Sequence, residues 1–301
     1  MTSICRPLDN RALRVAVVFV AIVFAGWAPE KHQNVLVAQT KTVDWANDVA
    51  AKSRLQGMVK EILAIWDKAD VVCLGEGHAR KNDSDLRIAL IEHPNFARKV
   101  SVIVVEFADI QHQDILDRLI LEGEDMSHEK LREVWKDTSG KEVWESPLYE
   151  AFLRAVRKVN LALPRNQRVR VIAGDNSTEE NRGKFIRDNM SREVLSKGLK
   201  GLAIYGSGHC ICRGMGFPGE LAGKYPGKIW AAFNFGNVTE ARSVFGLGDE
   251  PKLIPITGTE KAKLPAEKMF FDGKFPGPLG NLTNAVVYYG NVKEMIVPPD
   301  K

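Results

Sequence analysis

Five ionisable side chains in this chain stand at the ends of four apolar runs. They are Glu76, His78, Glu106, Asp175 and His209. In open parallel α/β sheets, ligands bind outside the carboxyl ends of the strands. If the four runs are neighbouring parallel strands, these side chains meet at one edge of the sheet. We therefore predict a single site that contains all five.

Glu76 and His78 form the tightest pair in sequence, with Gly75 and Gly77 beside them. In extended backbone, residues two apart point to the same face. A carboxylate and an imidazole on one face can activate a water molecule, as orienting partner and base, or bind a metal ion. The alternative is a loop histidine beside a glutamate that caps a helix.

The remaining three residues can be interpreted in two ways each. Glu106 ends an apolar run, where an ionised carboxylate needs a partner or a shifted pKa, so it is either a site residue or half of a structural salt bridge with an arginine. Asp175 lies in a Gly-Asp-Asn-Ser turn and either reaches the site or caps the next helix. His209 follows a Gly-Ser-Gly turn whose N–H groups could approach a ligand. Ser207 in that turn lacks the frame of a hydrolase nucleophile elbow.

Two glutamates and two histidines of this set are also candidate ligands of a divalent metal, which the chemistry would not strictly require. They are Glu76, His78, Glu106 and His209. The other histidines lie on charged helical stretches and are expected to be solvated, and three tyrosines are expected in the core or at its edge, although a tyrosinate can ligate haem iron. These are His93, His112, His128, Tyr205, Tyr288 and Tyr289.

Apolar runs alternate with helical periodicity along most of the chain. The runs predict strands at about 70–75, 101–106, 168–173, 201–205 and 229–233, with a late strand near 286–289. Such alternation is typical of parallel βαβ units. We predict an α/β fold with a mostly parallel central sheet flanked by helices.

The stretch 107–165 carries three helical patterns, which is too much chain for one crossover. We predict that it is a helical insertion near the carboxyl ends of the strands, able to cover the site. After the first strand, Asn82, Asp83 and Ser84 offer N-caps for a helix. Residues 44–301 are predicted to form a single α/β domain.

The first 28 residues are typical of an export signal. Arg6, Arg11 and Arg14 precede an uncharged apolar run from 15 to 28, which is short for a membrane span. We predict a signal peptide, with an uncleaved N-terminal anchor as the alternative, followed by a linker over 29–43. The protein is then exported, periplasmic or secreted, and touches a membrane only through that segment.

Composition excludes some partners and leaves the cysteines open. The 301 residues are 45% hydrophobic and 27% charged, as in ordinary globular proteins. The net charge of +4 falls to +2 without residues 1–28, which gives no reason to expect nucleic acid as a partner. Cys73 and Cys210 both lie near predicted strand ends. A disulfide between them is one possibility, and small buried thiols are the favoured one.

The order of four signatures resembles a known superfamily. They are Leu74-Gly75-Glu76-Gly77-His78, Val105-Glu106, Gly174-Asp175 and Gly206-Ser207-Gly208-His209. The superfamily joins erythromycin esterases, ChaN-like haem-binding proteins and the Tiki/pheromone-shutdown group, and the resemblance spans about 70–235. The Glu-x-His spacing is similar to the ChaN-like branch.

This resemblance implies an α/β core with a helical insertion. It implies that Glu76, His78, Glu106 and His209 match the polar cluster of the superfamily. In the esterase branch such residues activate water, and in the Tiki branch they hold a divalent metal for peptide hydrolysis. In the ChaN-like branch the protein binds haem through ligands outside these motifs, so no haem ligand is assigned in this chain.

Three functions follow from these observations. The favoured one is a hydrolase of ester or amide bonds that acts on a small molecule or a peptide. The alternative is a haem- or iron-binding protein without hydrolytic activity. The third is an interaction domain in which the polar cluster has no chemical role. The oligomeric state stays open.

Overall fold

The computed structural model describes residues 43–212, 216–234, 238–267 and 277–299, without the side chains of 238–241. The predicted signal segment 1–28 and all but the last residue of the predicted linker lie outside these ranges. Within them, no helix is both long and apolar enough to cross a membrane.

Seven strands of the described residues form one sheet. They are β1 (Val71–Glu76), β2 (Val102–Asp109), β3 (Arg170–Asp175), β4 (Gly201–Gly206), β5 (Ile229–Asn234), β6 (Lys252–Pro255) and β7 (Ala285–Tyr288). Their order is β3-β2-β4-β1-β5-β7-β6. All neighbours are parallel except β6 and β7. The predicted α/β fold class is confirmed.

The central strands are buried along their whole length. Every residue of β1, β2 and β4 is shielded from solvent. Near-continuous apolar runs of this kind belong to parallel strands covered on both faces, because crossover helices pack on each side. The predicted strands β1, β2 and β4 are therefore in the middle of the sheet, whereas the predicted strand β3 lies at its edge.

Helices flank this sheet. In the described part of the chain they are α1 (Val49–Ile65), α2 (Lys81–Glu92), α3 (Phe96–Lys99), α4 (Gln113–Asp117), α5 (His128–Arg132), α6 (Lys141–Trp144), α7 (Pro147–Leu161), α8 (Arg182–Glu193), α9 (Phe217–Leu221) and α10 (Val238–Phe245). The longest begins where the Asp48 carboxylate accepts a hydrogen bond from the N–H of Ala51 at 3.0 Å. Pro147 opens α7, where its missing N–H costs nothing.

The helices α4 to α7 lie between β2 and β3 in sequence and pack over the strand ends. An aromatic cluster joins these helices to β2. The ring centre of Tyr149 lies 4.8 Å from that of Phe107 and 5.0 Å from that of Trp144. Phe152 packs edge-on to Phe107. The aromatic rings thus place α6 and α7 beside the predicted site.

Three details differ from the sequence prediction. Strand β2 does not end at Glu106 but runs on to Asp109, because Phe107 and Ala108 continue the buried run. Helix α2 begins at Lys81, so Asp83 is a buried residue of its first turn and not its N-cap. Strand β6 carries an exposed Lys252 and too short an apolar pattern to be predicted.

Cys73 and Cys210 form a disulfide, with Cα atoms 5.6 Å apart and 137 residues between them in sequence. The favoured prediction of separate buried thiols was therefore wrong. The pairing of β1 with β4 places Cys73 beside Ala203, and the turn after β4 brings Cys210 back over it. Both cysteines are fully buried.

Candidate active site

The sheet order places the five predicted residues on four adjacent strands. From one side to the other, β3 ends in Asp175, β2 carries Glu106, β4 leads to His209, and β1 ends in Glu76 before His78. The parallel register sets Glu76 opposite Gly206, so these carboxyl ends are level. The predicted convergence at one edge of the sheet is therefore present in the structure.

Glu76 and His78 form a hydrogen-bonded pair. Nδ1 of His78 lies 2.9 Å from Oε1 of Glu76, which also accepts a bond from the hydroxyl of Tyr149 at 3.0 Å. The glutamate side chain is 2% exposed and the imidazole is 38% exposed. Trp144 packs edge-on to the imidazole at 4.6 Å between ring centres. The carboxylate thus orients a histidine that solvent reaches.

Arg87 holds the charge on Glu76. Its guanidinium forms a buried ion pair with the Glu76 carboxylate. Burial alone would raise the pKa of Glu76, but the charge of Arg87 and the hydrogen bond with His78 outweigh it and lower that pKa. Glu76 is therefore an anion at neutral pH, and a helix-capping role is absent because α2 begins with Arg80 as its cap.

His78 has a raised pKa, and only one of its two ring nitrogens is hydrogen-bonded among the described residues. Burial by itself would lower the pKa of His78, but the hydrogen bond and the negative charge of Glu76 raise it above its usual value. In the described part of the chain, Nε2 makes no hydrogen bond. The ring lies over Gly206, where a Cβ would sit 3.0 Å from Nε2. Glycine at 206 therefore leaves the space that the imidazole occupies.

Glu106 lies at the centre of the second half of the site. Its Oε1 accepts a bond from Arg182 Nη2 at 2.7 Å, and its Oε2 accepts one from the N–H of Gly206. Nε2 of His209 is 3.4 Å from Oε1. The side chain is 4% exposed. The salt bridge that the sequence offered as an alternative exists, and it exists inside the predicted site.

Asp175 reaches this half through the same arginine. Its Oδ1 accepts a bond from Arg182 Nε at 2.8 Å and another from the N–H of Asn176 at 3.0 Å. Asp175 therefore holds a residue of the site, and the alternative that it caps the next helix was wrong, because Asn181 caps α8. Arg182 bridges two buried carboxylates while 30% of its own side chain stays exposed.

His209 is the electrostatic opposite of His78. Burial lowers the pKa of His209, and the positive charge of Arg182 lowers it further against the pull of Glu106. Its Nδ1 is buried without a hydrogen-bond partner among the described residues. His209 is therefore neutral at physiological pH. Its Nε2 also lies 3.4 Å from Nη1 of Arg182.

Ser207 has a structural role in this arrangement. Its hydroxyl donates to the carbonyl oxygen of Glu76 at 3.1 Å and is buried. Its Cα lies 2.9 Å from where a Cβ on Gly75 would be. The Gly-Ser-Gly turn therefore ties the end of β4 to the end of β1, and the serine offers no exposed nucleophile.

In the described part of the chain, the four predicted metal ligands pair with arginines or with each other. Among the described residues, no three His, Cys, Asp or Glu side chains group in a way that could hold a metal ion. Arg87 neutralises Glu76, and Arg182 neutralises Glu106. Each of these two glutamates therefore already has a cationic partner in this structure.

Sequence reasoning missed four residues that shape the site. They are Arg87, Tyr149, Trp144 and Arg182. The arginines had a usable signal: each lies in the helix that follows a strand ending in a buried carboxylate, where a counter-charge is required. The aromatic residues had none, because their approach depends on how the insertion folds back.

The remaining candidates lie elsewhere or are occupied. His112 pairs with Asp137 at 3.1 Å, and the half-exposed His128 pairs with Glu150 at 2.5 Å. Three tyrosine hydroxyls are bonded to other partners inside the fold. These are Tyr205 to the carbonyl of Gly174, Tyr288 to the carbonyl of Gly248, and Tyr289 to Asp83.

Comparison with known proteins supports the same region. Residues 62–191 match the family described as haem-binding uptake, Tiki superfamily, ChaN. No curated protein matches the chain. A Bacillus cereus protein of known structure is 12% identical with a TM-score of 0.57, over 84% of this chain and 95% of its own. At that identity the match shows a shared fold.

Two further solved structures match more weakly. ChaN of Campylobacter jejuni, described with cofacial haem binding, is 16% identical with a TM-score of 0.37, over 61% of this chain and 87% of its own. The type III effector HopBA1 is 14% identical with a TM-score of 0.34, over 51% and 74% of the two chains.

The family match covers four of the five predicted site residues, with only His209 beyond it. The similarity to the ChaN-like and Tiki superfamily that the sequence signatures predict is therefore confirmed, over residues 62–191 of this chain.

Proposed function

We propose that this protein hydrolyses an ester or amide bond with His78 as the general base. One observation carries the proposal: a buried Glu76 bonds Nδ1 of His78, whose side chain is 38% exposed and whose Nε2 makes no hydrogen bond among the described residues. A carboxylate in this position fixes the tautomer of the imidazole and stabilises its protonated form. Such a pair can take a proton from water, which is the task of a general base.

The reaction then needs few steps. Nε2 of His78 takes one proton from a water molecule as the water oxygen bonds to the substrate carbonyl carbon. The bond to the leaving alkoxide or amine breaks, and the proton passes from Nε2 to that leaving group. Glu76 keeps its negative charge throughout and stabilises the imidazolium that forms between these steps.

Arg182 is the candidate for stabilising the negative charge that develops on the carbonyl oxygen. It is a cation with an exposed face, held in place by Glu106 and Asp175. A preorganised donor of this kind is the usual source of transition-state stabilisation in acyl transfer. His209, neutral and beside Arg182, can donate or accept a hydrogen bond without adding charge.

The expected partners follow from the sequence. We expect a small molecule or a peptide, and no nucleic acid, since the net charge is small. Export is part of the proposal, because the apolar run before residue 28 follows three arginines. A membrane contact would involve that segment alone.

The test is turnover by the protein without residues 1–28 on a panel of nitrophenyl esters and fluorogenic peptide amides. The wild type should hydrolyse at least one class, and His78→Ala should lose about 10³-fold in kcat/KM. His128→Ala is the matched control, since His128 also pairs with a glutamate but lies outside the site. Equal rates in His78→Ala and wild type would overturn the proposal.

Haem binding is the second candidate, and the description of the matched family favours it. Of the residues considered as iron ligands, His78 fits, because its side chain is partly exposed and its Nε2 makes no hydrogen bond among the described residues. Tyr205, Tyr288 and Tyr289 do not fit, because they are buried or hydrogen-bonded within the fold. Haem would supply an iron centre for transport or redox chemistry, and His78 would hold it.

A haemin titration followed by absorbance separates the two candidates. A saturable Soret band that is lost in His78→Ala, together with no turnover on any ester or amide, would replace the hydrolase by a haem-handling protein. Turnover with no specific haem complex would support the hydrolase and rule out the haem-binding alternative.

A further inference from the structure

Helix α2 presents two buried charged side chains to the turn after β1. Asp83 and Arg87 are each 4% exposed and lie four residues apart, so they share one face of the helix. Charged groups are rarely buried unless they are paired. Arg87 is paired with the Glu76 side chain, and Asp83 is hydrogen-bonded to the N–H of Gly77, between Glu76 and His78.

Arg87 acts on the side chain of Glu76. Its Nη1 forms the buried ion pair, and its Nε donates to the carbonyl of Asp83 at 3.0 Å. The guanidinium also lies 6.0 Å above the ring of Phe152 on α7. These contacts hold the cation in one place, so it fixes both the position and the charge of the Glu76 carboxylate.

Asp83 acts on the backbone between Glu76 and His78. Its Oδ2 accepts the N–H of Gly77 at 2.9 Å, and the side-chain amide of Asn234 at the end of β5 donates to both of its oxygens at 2.9 Å. The hydroxyl of Tyr289, just after β7, donates to Oδ1 at 2.6 Å. Asp83 thus ties the turn after β1 to two other strands of the sheet.

We infer that Asp83 and Arg87 are positioning residues for the Glu76–His78 pair, with Arg87 setting the carboxylate and Asp83 setting the turn between the two side chains. The inference rests on the proposed function, in which Glu76 and His78 are the reacting pair. Neither Asp83 nor Arg87 is expected to touch a substrate. Hydrogen bonds of a reacting pair keep their geometry only when the supporting shell is itself fixed.

The first arm of the test follows the proton shared by Glu76 and His78, with the Cε1 proton of His78 observed by NMR. The positive charge of Arg87 favours loss of this proton, and Arg87→Met removes that charge. We therefore expect the proton to be lost at a pH about one unit or more higher than in wild type. Arg87→Lys, which keeps a charge there, should move the titration less. A midpoint unchanged in Arg87→Met, with the fold intact by circular dichroism, would overturn the role of Arg87.

The second arm measures amide hydrogen exchange at Gly77 and does not depend on Arg87 variants. Asp83→Ala removes the acceptor of that N–H, and exchange should rise at least roughly tenfold. Asp85→Ala is the matched control, because Asp85 is equally buried on α2 but pairs with Lys81 and not with the turn. Equal exchange in the two variants would overturn the role of Asp83. Should Asp83→Ala not fold, Asp83→Asn leaves one acceptor oxygen for competing donors and should show a smaller rise in the same direction.

Neither arm uses a substrate, so the inference and the proposed function fail separately. Shifts in both arms without any hydrolysis would overturn the hydrolase and keep the positioning role. Hydrolysis that depends on His78, with no shift in either arm, would keep the hydrolase and overturn the positioning role.

Discussion

The two halves of the site contain the same residue types, but the pKa values of their histidines shift in opposite directions. In one half, His78 bonds Glu76 at 2.9 Å, and its pKa rises. In the other, His209 lies 3.4 Å from Glu106, and its pKa falls. Glu76 is neutralised by Arg87 from the helix that follows its own strand, and Glu106 is neutralised by Arg182 from the helix that follows the neighbouring strand β3.

The difference comes from burial and from the hydrogen bond to the carboxylate. Burial lowers the pKa of both histidines, but in His78 the hydrogen bond and the charge of Glu76 outweigh it. His209 has Glu106 at 3.4 Å, and the charge of that carboxylate does not outweigh burial, while Arg182, also at 3.4 Å, lowers the pKa further. Pairs of titratable groups pushed apart in this way mark the division of acid and base roles in active sites.

Replacing each of the two histidines should give the largest difference between the two halves of the site, measured as loss of activity. We expect His78→Ala to lose about 10³-fold in kcat/KM, and His209→Ala to lose roughly tenfold, because only His78 takes a proton in the proposed reaction. Kinetics on the best ester or amide substrate measures both. A larger loss in His209→Ala would reverse the roles.

Removing the two arginines should separate the halves by stability. Arg87→Met leaves a buried Glu76 uncompensated, so the free energy of unfolding should fall by about 3–5 kcal/mol. Arg182→Met should cost less, because Arg182 is partly exposed and Glu106 keeps the N–H of Gly206. Urea unfolding of both variants at pH 7 is the measurement. Equal losses would show that burial does not distinguish the two ion pairs.

Removing the disulfide should affect the His209 half more than the other. The double variant Cys73→Ala/Cys210→Ala frees the residue next to His209, and the long closed loop predicts a loss of roughly 2–5 kcal/mol in the free energy of unfolding. The pKa of His209 should move toward its usual value as the turn loosens, while that of His78 stays. A shift confined to His78 would contradict this account.

The smallest predicted effect concerns Asp83 and is a dependence of the stability of the fold on pH. Burial raises the pKa of Asp83 to about 6, despite Arg87 and the hydrogen bond from Tyr289, and Glu76 adds to the rise. The folded state therefore holds this proton more tightly than the unfolded state, and its contribution to stability is present below about pH 4 and lost as the pH rises through 6.

Asp83→Asn has no carboxyl group to titrate, so its free energy of unfolding should not fall with pH for this reason. Relative to wild type, the free energy of unfolding of the variant should therefore rise between pH 4 and pH 7, by at most about 3 kcal/mol. Unfolding midpoints in urea at several pH values measure the difference. A difference between the two proteins that stays constant with pH would show that Asp83 does not titrate in this range.

The sequence predicts the strands and the convergence of the five site residues, because buried parallel strands are written as continuous apolar runs. It does not predict that β2 continues past Glu106, since the burial of Phe107 comes from helices far along the chain. The disulfide, likewise, depends on the pairing of β1 with β4, which no local pattern records.

The electrostatics of the site were the least predictable part. That Glu76 and His78 form a pair could be inferred from their spacing, but the direction of each histidine pKa depends on its burial and on the positions of the charged groups around it. Those positions follow from helix packing. A prediction of metal ligands from Glu and His alone therefore overlooked the cations that already neutralise the carboxylates.

The most direct test is an NMR titration of the histidine Cε1 protons in the folded protein, with His78→Ala and His209→Ala to assign the two resonances. We predict that His78 titrates above the usual histidine pKa of about 6.5 and that His209 titrates below it. If His78 titrates below His209, the oriented base is not His78 and the proposed mechanism is wrong.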